Sequence, residues 1–278
     1  MAFFGKIKIY IDSIMRHILL RNRNRNRNSY LRKLRLLNFN RPYPFFKPVY
    51  NSIIPLDIYQ TWVTKDLPEK MQLQVERLKR RNPKFKHHLF DDNDCYEFIK
   101  NNFDRSVLNA YNRLIPGAYK ADLWRYCVLY KKGGIYLDIK LKCINNFRLI
   151  ELTEREHFVK DRWDIGIYNA LMACKAGNEL LLKAINRIVE NVNNNFYGIC
   201  PLHPTGPRLL KDLINETGMN VANVDMMHKS EINGVISYRR TFVLLTSYPE
   251  YHNEQNDSYN KINKSRYDKL WAERRIYA

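Results

Sequence analysis

The sequence predicts a single α/β domain in which a mainly parallel, twisted sheet is flanked by helices. From about residue 52, short apolar runs alternate with segments whose apolar residues recur at helical spacing. That order favours parallel strands covered on both faces. The chain is 278 residues long, which allows one substantial core, and 45% of its residues are hydrophobic and 27% charged. The composition is therefore typical of a soluble globular protein.

The predicted elements follow from apolar spacing and from the residues that cap helices. Met71, Val75 and Leu78 recur at helical spacing after Pro68, and Asp91 stands where a helix cap is expected. In chain order, strands are predicted over residues 53–62 and 85–90, a helix over 68–81 and another after Asp91, an amphipathic helix over 116–131, a strand ending at Asp138, strands over 156–160 and 167–173, helices over 178–192 and 204–214, and a β-rich segment over 235–248.

Residues 1–50 are predicted to form a separate basic arm, and residues 51–278 the folded domain. The arm carries twelve Lys and Arg residues against one acid, Asp12, which accounts for most of the net charge of +19. Residues 21–28 are an Arg-Asn repeat without an apolar face, so we expect disorder there. Residues 1–20 can form a basic amphipathic helix, either on an anionic membrane or docked on the domain. Prolines at 42, 44 and 48 predict an extended linker.

Several classes of site are excluded by pattern. The chain has no P-loop, GxGxxG, HExxH or GxSxG motif, and its five cysteines form no CxxC or Cys/His pattern. We interpret the cysteines as mostly buried thiols in a reducing compartment, although a disulfide in a secretory lumen is also compatible with the sequence. No transmembrane span or clear signal peptide is predicted, so we expect a cytoplasmic protein, which would be peripherally membrane-associated if residues 1–20 bind a membrane.

Residues 120–140, KADLWRYCVLYKKGGIYLDIK, contain the most informative pattern. Asp122 and Arg125 lie three residues apart on a predicted helix and share a face. The pair Gly133-Gly134 permits a sharp turn before a strand. In that strand Tyr136 and Asp138 point to one side, opposite to their neighbours. A carboxylate at a strand end, near a helical Arg, suits a sugar-phosphate site.

This pattern resembles glycosyltransferase family 32, the DxD-type sugar transferases that include fungal α-mannosyltransferases and, more distantly, glucosylating bacterial toxins. The resemblance covers residues 53–145 well and 156–255 more loosely. It implies a GT-A-like fold and a retaining transfer of a hexose from a nucleotide sugar, GDP-mannose or a UDP-hexose, with mannose as the first choice. The acceptor would be a hydroxyl of a glycan, a sphingolipid head group or a protein.

The resemblance also implies site residues. Asp122, Arg125 and Asp138 would be catalytic, with Asp122 on donor hydroxyls and Asp138 on the ribose and the metal shell. The remaining donor-binding residues would be Tyr59, Gln60, Thr61, Trp62, Gly134, Tyr136, Lys140 and Asn169, and the turn Thr205-Gly206-Pro207 would border the site together with Asp164. His252 would join Asp138 at the metal, with Glu250 or Asp257 as alternatives.

One residue departs from the family pattern. Lys140 stands where the second Asp of DxD is expected, and an ammonium beside the site repels the divalent cation, Mn²⁺ or Mg²⁺, that such carboxylates hold. Two arrangements are compatible with activity. Lys140 can neutralise the diphosphate itself and reduce the need for metal, or it can turn outward while Asp138 and a downstream ligand hold the ion.

Two alternative functions remain open at this point. The Arg-Asn repeat suits a basic nucleic-acid-binding protein, but that function gives no reason for Asp122, Arg125 and Asp138 to converge, so nucleic acid is not an expected partner. Lys140 suits a catalytically weak sugar-nucleotide-binding protein.

Overall fold

A computed structural model describes residues 42–161, 166–219, 226–228 and 234–278 of the chain. The predictions for residues 1–41 and for Asp164 lie outside these residues. The described strands are β1 (Asp57–Thr61), β2 (Lys86–Phe90), β3 (Gly134–Leu137), β4 (Lys142–Cys143), β5 (His157–Lys160), β6 (Ile167–Cys174), β7 (Met226–His228), β8 (Val235–Tyr238) and β9 (Thr241–Leu245). The described helices are α1 (Glu69–Arg81), α2 (Asp92–Asn102), α3 (Arg105–Arg113), α4 (Gly117–Lys132), α5 (Glu179–Asn193), α6 (Pro207–Thr217), α7 (Tyr251–Lys261) and α8 (Tyr267–Ala272), with a 3₁₀ turn at Leu149–Leu152.

The strands form one sheet in the order β2-β1-β3-β6-β5-β7-β8-β9-β4, so the predicted α/β class with one sheet flanked by helices is confirmed. β1 pairs in parallel with β2 and β3, and β5 with β7. The other pairs are antiparallel. The reversal between β8 and β9 has a local cause, since Arg239 and Arg240 alone join them, both at positive φ, and a two-residue turn can only reverse the chain. The parallel pairs join strands between which the chain passes through at least one helix.

The strand β3 separates two cores. Tyr136 packs into the apolar cluster formed with α4 and α5, whereas Ile135 and Leu137 pack into a second cluster on the other side of the sheet. The predicted alternation along this strand is therefore confirmed. The carboxyl ends of β1 and β3 point the same way, which brings Trp62 and Asp138 to one edge of the sheet.

The helix α4 differs from its prediction as an amphipathic helix. From Tyr119 to Leu129 it is buried on nearly every side, including the positions of Asp122 and Arg125. The amphipathic interpretation was wrong because α4 lies under the sheet and other helices cover it, so no face is left to solvent. The two charged residues are thus interior residues that require partners inside the protein.

Steric constraints explain why two glycines follow α4. Gly133 (φ +65°) and Gly134 (φ +109°) have conformations that residues with a side chain rarely adopt. A Cβ on Gly134 would lie 2.8 Å from the carbonyl oxygen of Asp57 on the neighbouring strand. The pair therefore turns the chain from α4 into β3 and lets β3 pack closely against β1.

Most other predicted elements are confirmed within a few residues. Asp91 caps α2 by accepting a hydrogen bond from the backbone of Asp94, and Asn178 caps α5 in the same way. The helices α3, α7 and α8 were not predicted. Residues 42–50 lie against the domain, because Tyr43 is buried beside Phe147 and its backbone donates to Asn145. Among the described helices, none is long and apolar enough to cross a membrane.

All five cysteines are free thiols, and four of them, Cys95, Cys127, Cys143 and Cys174, are buried. The prediction of mostly buried thiols is confirmed. Burial raises the pKa of the Cys127 and Cys143 thiols, which disfavours the reactive thiolate.

Candidate active site

The structure brings together the three charged residues of the central motif. Asp138 follows β3 at the carboxyl edge of the sheet, and Asp122 and Arg125 face it from α4. The Nη2 atom of Arg125 lies 3.4 Å from Oδ1 of Asp122 and 3.3 Å from Oδ1 of Asp138. Arg125 is thus a cation between two carboxylates in the interior of the protein.

The remaining contacts of Arg125 fix its side chain. Its Nε donates to the carbonyl of Ala121 at 3.1 Å, and Nη1 donates to the carbonyl of Asn169 at 2.9 Å. The guanidinium carbon lies 4.4 Å from the ring centroid of Tyr136. Because protein groups occupy most of its N–H donors, Arg125 positions the two carboxylates.

Asp122 is held by neutral donors as well as by Arg125. The amide nitrogen of Asn169 donates to Oδ1 at 2.9 Å, and the hydroxyl of Thr205 donates to Oδ2 at 2.7 Å. The hydroxyl of Tyr126 lies 2.8 Å from the same Asn169 nitrogen and donates to the carbonyl of Thr205 at 3.0 Å. Both carboxylate oxygens of Asp122 therefore already accept hydrogen bonds from the protein.

Asp138 and Lys140 form the more open part of the site. The hydroxyl of Tyr136 donates to Oδ1 of Asp138 at 2.6 Å, and Nζ of Lys140 lies 2.9 Å from Oδ2. The Lys140 side chain is 28% exposed, against 17% for Asp138 and 7% for Arg125. Its ammonium lies 5.9 Å from the ring centroid of Tyr168. Within this network, Lys140 is the charge that an incoming ligand reaches first.

These contacts shift the pKa values of Asp122 and Asp138 in opposite directions. Burial by itself would raise the pKa of Asp138, but the Lys140 and Arg125 cations outweigh it and hold that pKa below its ordinary value. Burial raises the pKa of Asp122 to about 6, against the opposing effects of Arg125 and Thr205. Burial disfavours the ammonium of Lys140, yet Asp138 keeps the pKa of Lys140 above its ordinary value. Near neutral pH the site therefore holds an ionised Asp138 and two cations.

Comparison with known proteins agrees with this arrangement. Residues 68–159, which include α4, the glycine pair, Asp138 and Lys140, match the family described as the glycosyltransferase sugar-binding region containing a DXD motif. Over these residues the chain is similar to glycosyltransferases of that family.

Relatives of the chain include fungal mannosyltransferases. Inositol phosphoceramide mannosyltransferase 3 of Schizosaccharomyces pombe is 30% identical over 161 residues, which are 58% of this chain and 44% of that protein. An initiation-specific α-1,6-mannosyltransferase of Candida albicans is 30% identical over 109 residues, 37% of this chain and 27% of that protein. An uncharacterized glycosyltransferase of Acanthamoeba polyphaga mimivirus is 34% identical over 96 residues, 34% of this chain and 38% of that protein. The chain spans less than half the length of these relatives.

One similar solved structure is that of a glycosyltransferase. The glycosyltransferase PaToxG is 14% identical, with a TM-score of 0.46, over 80% of this chain and 84% of that chain.

The carboxylate of Asp138 is a poor fit for the divalent cation that a DXD motif implies. Its two oxygens face donors or cations from Tyr136, Arg125 and Lys140. In the described part of the chain, no group of three or more His, Cys, Asp or Glu side chains could hold a metal ion. Hard cations need several oxygen ligands, and here the Arg125 guanidinium and the Lys140 ammonium lie against the oxygens of Asp138. Lys140 points toward Asp138 and not outward, and its role toward a diphosphate or a metal stays a prediction.

His252, the second predicted metal ligand, lies in the first turn of α7, next to the buried Tyr251. Its side chain is exposed, and its ring centroid is 5.3 Å from that of Tyr251. Lys140 and Asp138 both influence the pKa of Tyr251, so this turn lies near the open part of the site. A role for His252 stays a prediction.

The four donor-binding residues predicted at the end of β1, three in the strand and Trp62 directly after it, have different surroundings. Gln60 donates to the carbonyl of Leu137 at 3.1 Å, and Thr61 donates to that of Phe90 at 2.9 Å. Tyr59 stacks on His88 in the interior. Of the four, only Trp62 packs with Ile139 and Tyr251 beside Lys140, and its buried Nε1 has no hydrogen-bond partner among the described residues. Its ring is buried against Tyr251 and Tyr259, so it supports this part of the site and is not exposed to a ligand.

Gly134, another predicted donor-binding residue, lies at the amino end of β3. Asp138 is four positions further along the chain, a distance of roughly 13 Å in an extended strand. Residues that sequence reasoning missed are Tyr126, Tyr168 and Tyr251. Tyr126 lies four residues after Asp122, so helical spacing could have indicated it. The contribution of Tyr251 comes from α7, which the sequence pattern did not reveal.

The raised pKa of Asp122 predicts a pH effect on stability. The unfolded carboxyl titrates near 3.8, whereas the folded one titrates near 6, so the folded state binds this proton more tightly. Protonation of Asp122 then adds stability as the pH falls, about 2 kcal/mol between pH 7 and pH 4. Wild type should gain that amount relative to Asp122→Asn in chemical denaturation at stepped pH. A difference between the two proteins that does not change with pH would contradict this.

Proposed function

We propose that the protein transfers a hexose from a nucleotide sugar to an acceptor hydroxyl. The observation that carries the proposal is the convergence of Asp122, Arg125 and Asp138 at the carboxyl edge of the sheet, where α/β proteins bind ligands. The family match of residues 68–159 and the names of the fungal relatives support it and favour mannose as the sugar. GDP-mannose is the first choice of donor, and a UDP-hexose is the alternative.

Each residue has a role that follows from its contacts. Arg125 and Asp122 are positioning residues, which hold Asp138 and the α4–β6 contact in place. Asp138 is ionised and accepts hydrogen bonds from donor hydroxyls at the open side of the network. Lys140 is the most exposed of these charges, so it meets the diphosphate and stabilises the negative charge that develops as the sugar leaves. Trp62 is buried against Tyr251 and Tyr259, so its role would be to support this edge of the site and not to stack on the base.

In this mechanism the protein supplies position and charge. Transfer with retention of configuration would need the donor and acceptor to be held together and the departing diphosphate to be stabilised. No side chain has to act as a strong nucleophile. The relatives named for inositol phosphoceramide favour a sphingolipid head group as the acceptor, with glycan and protein hydroxyls as the alternatives.

A thermal-shift screen of GDP- and UDP-sugars, with Mn²⁺ or with EDTA, tests the function. A donor at 100 times its Kd adds about 2.7 kcal/mol of stability, which corresponds to roughly 5–10 °C in Tm for a domain of this size. We expect GDP-mannose to give the largest shift and EDTA to leave it unchanged, because Lys140 supplies the positive charge. If no nucleotide sugar shifts the Tm, the proposed function is wrong.

Lys140→Asp provides the matched control for the role of this charge. It creates the Asp-x-Asp arrangement, so donor binding should become weak in EDTA and recover with Mn²⁺. Lys140→Met should weaken binding with or without the ion. A wild-type Tm shift that disappears in EDTA would show that the metal is required and that Lys140 does not replace it.

A further inference from the structure

A second candidate binding surface lies at the opposite end of the sheet. Two adjoining cavities, of about 180 and 370 Å³, open beside the residues that lead from α1 into β2. Both are lined by Arg81, Pro83 and Arg148. Here these cavities together are called the basic cleft. It lies at the amino end of β2, whereas Asp138 follows the carboxyl end of β3, which runs parallel to β2 with β1 between them. The two ends are roughly 15 Å of strand apart.

The charged side chains that line the basic cleft are all positive. Its lining side chains include no Asp or Glu, and the cations among them are Lys47, Arg80, Arg81, Lys84 and Arg148. They come from three separate segments of the chain, so the cluster is not only the basic last turn of α1. The pKa of nearby Lys142 is consistent with an excess of positive charge. Burial lowers this pKa, and the cations Arg77 and Arg81 lower it further. Among the described residues, Lys47 is the one member of the five that is paired with an acid, Glu154.

Exposed apolar side chains border the cleft. Phe45 and Phe46 flank the buried Tyr43, and Val49 is 72% exposed three residues further on. Phe46 lines the larger cavity, and the guanidinium of Arg148 lies 5.6 Å from its ring centroid. Arg239 lies 5.7 Å from the ring centroid of Phe45. Alternation of cations with exposed aromatic residues is the chemistry of a surface that meets phosphate head groups and hydrocarbon together.

We propose that the basic cleft and residues 45–49 dock the protein on an anionic phospholipid surface. Head-group phosphates would enter the cleft, and Phe45, Phe46 and Val49 would lie at the boundary of the hydrocarbon. Charge complementarity argues against residues 1–41 as the occupant, because they carry eleven Lys and Arg residues and one acid. A free phosphate would leave the apolar side chains without a partner. The proposal is independent of the reaction at Asp138, which stays open at the other end of the sheet.

Vesicle binding by the full chain tests the proposal. The probes are phosphatidylcholine vesicles with and without 30 mol% phosphatidylserine, and binding is measured by flotation. The double variant Arg80→Gln/Lys84→Gln removes two exposed cations, each worth about fivefold in affinity for an anionic surface, so binding should fall about 25-fold. The matched control is Lys175→Gln/Lys183→Gln, which also removes two exposed cations. Lys175 lies in the turn between β6 and α5 and Lys183 lies on α5, a helix that packs in the cluster on the other side of β3. This control should change binding less than threefold.

A second measurement examines the apolar contact. Val49→Trp places a fluorophore at an exposed position, and brominated lipids should quench it in phosphatidylserine vesicles. Equal vesicle binding by wild type and the Arg80/Lys84 double variant would overturn the proposal, as would a Val49→Trp signal that brominated lipids leave unchanged. If inorganic phosphate binds the cleft and the protein binds no vesicles, the membrane proposal would be overturned in favour of a soluble phosphate ligand.

Discussion

Replacing Asp138 with Asn is expected to reduce turnover by roughly 10²–10³-fold while the protein stays folded. The amide has nearly the same shape as the carboxylate but cannot carry the charge that aligns Lys140 at 2.9 Å and Arg125 at 3.3 Å. The donor hydroxyls lose an ionised acceptor, and the two cations lose the group that orients them. The measurement is release of nucleoside diphosphate from the donor that the thermal-shift screen identifies, with kcat and KM determined separately.

The control for this variant is Asp57→Asn. Asp57 starts β1, and its carboxylate lies 2.7 Å from Nε2 of His88, so the change removes an acid–base pair from the opposite end of the same sheet. We expect its turnover to remain within about threefold of wild type. An Asp138→Asn protein with wild-type Tm and nearly wild-type turnover would remove Asp138 from the mechanism.

Replacing Arg125 with Met is expected to have the largest effect on stability. The change leaves Asp122 and Asp138 in the interior without the cation between them, and loss of one partner of a buried ion pair costs about 3–5 kcal/mol. For a domain of this size the Tm should fall by roughly 6–20 °C. The measurement is chemical and thermal denaturation at pH 7.5, followed by the same measurement at pH 5.

The lower pH separates an electrostatic cause from a packing cause. Without Arg125 the pKa of both carboxyl groups should rise, so protonation at pH 5 should restore part of the lost stability. Arg187→Met is the matched control, since Arg187 pairs with Glu216 at 2.7 Å on the exposed surface, where such pairs contribute less than about 1 kcal/mol. If Arg125→Met is less stable than wild type by the same amount at both pH values, the cause is lost packing.

The sequence predicted the site where the relevant contacts are local. Asp122 and Arg125 share a helical face, and Tyr136 and Asp138 share a face of β3, so spacing alone placed each pair. The glycines between them set the turn that brings the two pairs together. Periodicity also located β1, α1, β2 and α5, because their apolar positions recur with few interruptions.

Contacts between distant segments could not be predicted in this way. That Asn169 donates to Asp122 depends on β6 lying beside β3 in antiparallel register, which no local pattern encodes. The helix α7 is rich in polar residues and buries only Tyr251, so its position depends on tertiary packing. The helix α3 does carry apolar residues at helical spacing, Val107, Ala110 and Tyr111, and this local signal was missed. The burial of α4 likewise follows from the elements that cover it.

Because α4 is enclosed, the network of Asp122 and Arg125 has little freedom to vary. A change of volume or charge between Tyr119 and Leu129 meets close-packed neighbours. Divergence toward another sugar or acceptor must therefore arise at the rim, where Lys140, Tyr168 and the start of α7 can be exchanged without rebuilding the interior. In directed evolution of this scaffold, libraries confined to that rim should yield altered selectivity, whereas libraries in α4 should yield mostly unfolded protein.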